Sequence, residues 1–160
     1  MQIEPVSLSH SHPRKYERRN KMELIFTLSN IKNFIITMVV FLAIDMLWLQ
    51  VISKSFYAKH LGYIMTDQVK IAAAFIFYFI FVIGIIYFVI NPALTKESWQ
   101  YALFAGMFFG LITYATYDLT SLAVIKDWPL IITVVDLIWG TFLSGTTALV
   151  SYMLIRLIGY

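Results

Sequence analysis

The sequence predicts an all-α, polytopic membrane protein: a four-transmembrane-helix bundle with a short interfacial helix in its first loop. Three observations carry that expectation. Four apolar runs each approach the length of about 20 residues that crosses about 30 Å of hydrocarbon. The 160 residues are 60% hydrophobic and only 13% charged, outside the range of soluble domains. Five of the twelve basic residues, Arg14, Lys15, Arg18, Arg19 and Lys21, precede the first apolar run. There they serve membrane orientation or anionic headgroups rather than nucleic acid.

Residues 1–30 read as a flexible basic N-terminal tail holding Pro5 and Pro13, and residues 31–160 as the transmembrane domain. His10 and His12 in the tail are incidental rather than metal-binding on this reading. Met22 opens a short lead, MELIFTLSNIKNF, and the run that follows has no small-x-small cleavage site, so an uncleaved anchor is expected. The helices are expected at about 33–52, 71–90, 99–125 and 129–155. The second ends at Asn91-Pro92, because proline lacks an amide donor and disfavours helical geometry in the residue before it. The fourth begins at Pro129, in a first turn whose amides have no intrahelical partner. Between the first two helices, Phe56, Tyr57, His60, Leu61 and Ile64 recur at one-face helical spacing, which predicts a short interfacial helix with its apolar side in the headgroup boundary. An even number of crossings puts both termini on one side. Lysine and arginine number eight on that side and four on the other, which predicts cytoplasmic termini.

Chemistry is concentrated in three aspartates inside apolar runs. Asp45, Asp118 and Asp136 each cost roughly 2.5–3.5 kcal/mol at a helix centre, whereas an interhelical hydrogen bond returns about 0.6 kcal/mol on average. Packing alone is a poor reason for three of them. Counted from the ends of their helices, all three and Tyr78 fall about 10–12 Å below one membrane boundary, which predicts one polar layer. Tyr114, Asp118 and Ser121 share a face of the third helix, with Tyr117 beside it; Thr133, Asp136 and Trp139 share one on the fourth; Asp45 and Trp48 repeat the D-x-x-W spacing on the first. Asp118 is expected to bond a hydroxyl or indole from another helix, with Tyr114 better placed than Tyr117 to share its cavity. Gly106 and Gly110, and Gly140 with Ser144 and Ala148, read as small-xxx-small contacts for close helix approach.

With no cysteine there is no disulfide framework, thiol nucleophile or cysteine metal site, and no histidine falls inside an apolar run. No metal site and no cofactor is assigned. A divalent cation is left open, since three carboxylates can ligate Mg²⁺ or Mn²⁺.

The runs FLAIDMLWL, FYAKHLG, FYFIF, NPAL, GLITYATYDLTSLA, the Trp128-Pro129 pair and VVDLIWG, in that order, resemble an uncharacterised family of small bacterial membrane proteins known only as a domain of unknown function. The resemblance spans about Asn33 to Leu149. It is carried by Asp45, Trp48, Tyr78, Pro92, Tyr114, Tyr117, Asp118, Trp128, Pro129, Asp136 and Trp139. That family commonly has asparagine where this chain has Ser121. The resemblance implies four spans in a bacterial inner membrane, and no reaction.

The favoured functional reading is a small proton- or cation-coupled transporter or binding protein, since clustered buried carboxylates hold protons or cations. One alternative is a membrane-embedded enzyme acting on a lipid or isoprenoid. Another is a structural or accessory subunit. The partners expected are the lipid bilayer and an unknown small molecule, proton or cation, with no nucleic acid; an oligomer is left open.

Overall fold

A computed structural model describes residues 13–66 and 68–159; residues 1–12, including His10 and His12, lie outside the described residues. The chain divides into two compact units, Met1–Lys32 and Asn33–Tyr160. In the first, the described residues are helical from Pro13 onward, where the sequence suggests a tail up to residue 30. The stretch PRKYERRNKMEL has no glycine or β-branched residue to oppose a helix.

In chain order the elements are α1 (Pro13–Trp48), a π-helical turn (Leu49–Ser53), α2 (Lys54–Leu61), α3 (Ile71–Ile85), a second π-helical turn (Ile86–Ile90), α4 (Asn91–Thr95), α5 (Trp99–Val124) and α6 (Leu130–Ile158). Four stretches are helical, long and apolar enough to cross a membrane: Leu28–Val51, Ile71–Thr95, Trp99–Val124 and Leu130–Ile158. The described residues contain no strand.

Several helix boundaries differ from the sequence expectation. The second span does not stop at Asn91-Pro92 but continues to Thr95. The π-helical turn directly before Asn91 widens the backbone there, and Pro92 enters as an early residue of α4, where a missing amide costs least. Pro129 is extended and precedes α6 rather than opening it, and α6 runs on to Ile158. The third span ends one residue early because Ile125 is extended.

Within the second unit, polar residues share the interior with an apolar core that includes Phe41, Val82, Ile85, Ile90 and Leu143. The buried set includes Asn33, Thr37, Asp45, Asp118, Ser121, Thr133, Asp136, Ser144, Thr147 and Ser151, while Ile35, Val39, Leu47, Phe75, Ile76, Phe88, Phe104, Phe108, Ile138 and Phe142 are largely exposed. A surface of that kind suits lipid, and the polar groups retreat from it.

The α5–α6 pair is the closest-packed part of the unit. Gly110 lies against the Gly140 carbonyl oxygen and Ser144 Oγ, and a Cβ on Gly106 would come 2.8 Å from both the Ala148 Cβ and the Ser144 carbonyl oxygen. The small-xxx-small spacings therefore do what their sequence suggests: they let two backbones touch. Phe41 of α1 packs against Tyr78 and Phe81 of α3, and Phe81 against Phe109 of α5. At one end of the unit the Tyr63 hydroxyl donates to the Asp127 carbonyl, joining the α2–α3 and α5–α6 connections. At the other, Arg156 approaches Glu97 at 3.7 Å.

Candidate intramembrane polar site

The site is built toward the end of the unit that carries those two connections. On α6, Thr133, Asp136 and Gly140 fall within about 60° of one another at 100° per residue, so one narrow strip faces inward. Asp136 is 8% exposed and Asp45 6%. The Tyr78 hydroxyl of α3 donates to Asp45 Oδ2 at 2.8 Å, and the Trp139 indole N–H lies within hydrogen-bonding reach of the same carboxyl. Trp48 and Trp139 stack, so the D-x-x-W segments of α1 and α6 meet through their aromatic residues.

Tyr57 joins this network because of the π-helical turn before α2. In an unbroken α-helix, Tyr57 would lie about 120° around the axis from Asp45; a π turn accommodates one extra residue, which reduces the offset to about 20°. The Tyr57 hydroxyl then donates to Asp136 Oδ1. Burial, first, and then the hydrogen bond and negative charge of Asp136 push the Tyr57 phenol far above its ordinary value, so it remains a neutral donor. The sequence places Tyr57 on the apolar side of an interfacial helix; the structure turns that side chain onto an aspartate of the bundle.

Asp118 of α5 is 1% exposed and reaches Asp136 side chain to side chain. A hydrogen bond between two carboxyl groups needs a proton on one of them. Asp118 Oδ1 is buried with no hydrogen-bond partner among the described residues. Asp118 and Asp136 line a cavity of about 450 Å³ together with Phe77, Phe81, Thr113, Tyr114 and Tyr117. A second cavity of about 330 Å³ holds Asp45, Trp48, Tyr57, Tyr78 and Trp139. Phe77 and Tyr114 line both, so the aspartates occupy two adjoining compartments with Tyr114 between them. Its ring rests directly on Gly140, where any side chain would collide with it.

Nine of the ten residues singled out by sequence contribute to the two cavities or to the bonds around them. Tyr117 lines the larger cavity from its exposed rim, its ring edge-on to Trp128. Thr133 accepts a hydrogen bond from the Trp128 indole at 3.1 Å and donates to the Asp118 backbone carbonyl at 3.5 Å. Ser121 is buried three residues beyond Asp118 and lines neither cavity. The expected bond from Asp118 to a hydroxyl or indole is not formed among the described residues: Tyr57 and Tyr78 are spent on Asp136 and Asp45, and Thr133 takes the Asp118 backbone instead. Sequence reasoning missed Phe77 and Phe81, indistinguishable there from lipid-facing phenylalanines. His60 bonds the Phe56 carbonyl with its ring nitrogen, outside the network. Among the described residues, no three acidic or histidine side chains converge as a metal shell.

Residues 30–153 match the model of a family described as "Predicted membrane protein (DUF2177)". Neither a curated protein nor a solved structure matches the chain. With four apolar spans around a polar interior and a family match over most of its length, the chain belongs to this family of membrane proteins of unknown function.

Proposed function

We propose that this protein binds small lipophilic organic cations within the membrane and exchanges them for a proton shared by Asp118 and Asp136. The observation that carries this reading is Asp118, a buried carboxyl that reaches a second carboxyl, Asp136, and lines an aromatic cavity with it. A carboxyl alone suits many ligands. A carboxyl enclosed by Phe77, Phe81, Tyr114 and Tyr117 suits an ammonium group in particular, since aromatic faces attract cations by about 2 kcal/mol or more once water is removed. The volume is in the range of small-molecule sites. Phe77 and Tyr117, both largely exposed, form a rim on the flank of the unit, which favours entry from lipid.

The proton completes the chemistry. An arriving cation replaces the proton that allows the two carboxyls to bond, and the pair then carries the extra negative charge against the ligand. That exchange is the elementary step of proton-coupled transport. The excess of basic residues on the side of the termini supports cytoplasmic termini and a site nearer the opposite face of a cytoplasmic membrane.

Titration of the purified protein with a phenylalkyl quaternary ammonium compound, followed by tryptophan fluorescence, tests binding. The account expects saturable binding that weakens about tenfold or more, a change of about 1.4 kcal/mol, for the neutral carbon isostere and for Asp118→Asn. Equal affinity for the cation and its isostere overturns it.

A further inference from the structure

Further along α6 from the aspartates, beyond Gly140 and the buried Leu143, lies a second polar stretch. Measured from Asp136 at 100° per residue, Ser144, Thr147 and Ser151 all lie within about 80° of it, and Ser151 stands about 22 Å further along the axis. From Ser144 to Ser151 this stretch covers about 10 Å of the roughly 30 Å hydrocarbon thickness. All three hydroxyl residues are fully buried.

Their hydroxyls behave unlike others in the chain. Thr37, Thr95, Thr113, Thr116 and Thr141 each return their hydroxyl to the backbone carbonyl four residues earlier, the ordinary solution for an apolar helix. Ser144, Thr147 and Ser151 have no partner among the described residues. Asn33 Oδ1, buried on α1, also has none. Counted from the stacked Trp48 and Trp139, Asn33 lies about 22 Å along α1 and Ser151 about 18 Å along α6, so the two are at nearly one level. A buried polar group without a partner costs about 1–3 kcal/mol, and here three share one stretch of α6.

We infer that Ser144, Thr147, Ser151 and Asn33 line a file of water molecules inside the bundle, from the level of Ser144 toward the end opposite the cavity rim. Buried water settles where polar groups offer it two to four bonds, and hydroxyl groups, both donors and acceptors, pass the pattern along. Such a file brings water from the end of the bundle opposite the cavity rim to the level of Ser144, about 12 Å along α6 from Asp136.

The chain has no cysteine, so single replacements report without background. Thr147→Cys, Ser151→Cys and, as a dry control, Leu143→Cys are reconstituted in lipid vesicles and treated with Ag⁺, which follows water and binds thiolates. Maleimide labelling after unfolding reads which thiols were blocked. The expected result is loss of labelling at positions 147 and 151 and full labelling at 143. Full labelling at all three overturns the file. If a cysteine variant does not fold, transfer of magnetisation from water to the wild-type protein in bilayers replaces it: strong signals at Thr147 and Ser151 against Leu143 support the file, and none overturns it. Neither readout uses a cation ligand, so failure of the file and failure of amine binding are separate results.

Discussion

The indole rings of Trp48 and Trp139 stack with centroids 4.3 Å apart and planes 10° from parallel. The contact joins two segments of the same D-x-x-W spacing on helices of opposite direction, and it leaves the Trp139 N–H near Asp45. Stacking of this kind contributes about 0.5–1.5 kcal/mol beyond its area. Trp139→Phe keeps a ring and removes the donor, whereas Trp139→Leu removes both. Thermal unfolding in detergent is expected to rank wild type above Trp139→Phe and Trp139→Phe above Trp139→Leu.

Gly140 is the floor under Tyr114. A methyl group there meets the Tyr114 ring, and that ring separates the two cavities. Gly140→Ala is therefore expected to cost about 1–3 kcal/mol of stability by overpacking and to weaken cation binding through displacement of the ring. Gly110→Ala, whose methyl would meet the Gly140 carbonyl, is expected to cost as much by separating α5 from α6. Unfolding midpoints and the fluorescence titration measure the two effects separately.

Tyr57 supplies a pH test. Its folded phenol is held protonated well above the free value of about 10, so its contribution is fully present below that value. As pH rises through about 10 the unfolded chain loses its phenolic proton while the folded chain keeps it, and stability falls. The stability gap between wild type and Tyr57→Phe is expected to be constant at neutral pH and to shrink above about pH 10. A gap that widens with alkalinity contradicts the assignment.

The four spans were legible because length and composition decide them, and the buried aspartates because a carboxyl in an apolar run has few harmless explanations. Other features depend on geometry that periodicity does not encode. Asn91-Pro92 looked like a stop until the preceding π-helical turn made room for the proline. Tyr57 looked interfacial because its route to Asp136 depends on the extra residue in the turn at Leu49–Ser53. Counting from helix ends put three aspartates in one layer; that count does not register Tyr114, whose ring divides them between two cavities. Of the unpartnered hydroxyls of α6, Ser144 alone stands out in the sequence, as a small packing residue, which it is against Gly110; spacing says nothing about where an Oγ finds its bond.

The central claim is that a cation displaces a proton from the Asp118–Asp136 pair, and proton release on ligand addition tests it most directly. Purified protein in weakly buffered detergent solution, with a pH indicator, receives the phenylalkyl quaternary ammonium compound. Release of a proton is expected for each cation bound, none with the neutral isostere, and none from Asp118→Asn, which has no second carboxyl with which Asp136 can share a proton. Cation binding without proton release, or release from Asp118→Asn equal to that of wild type, contradicts it.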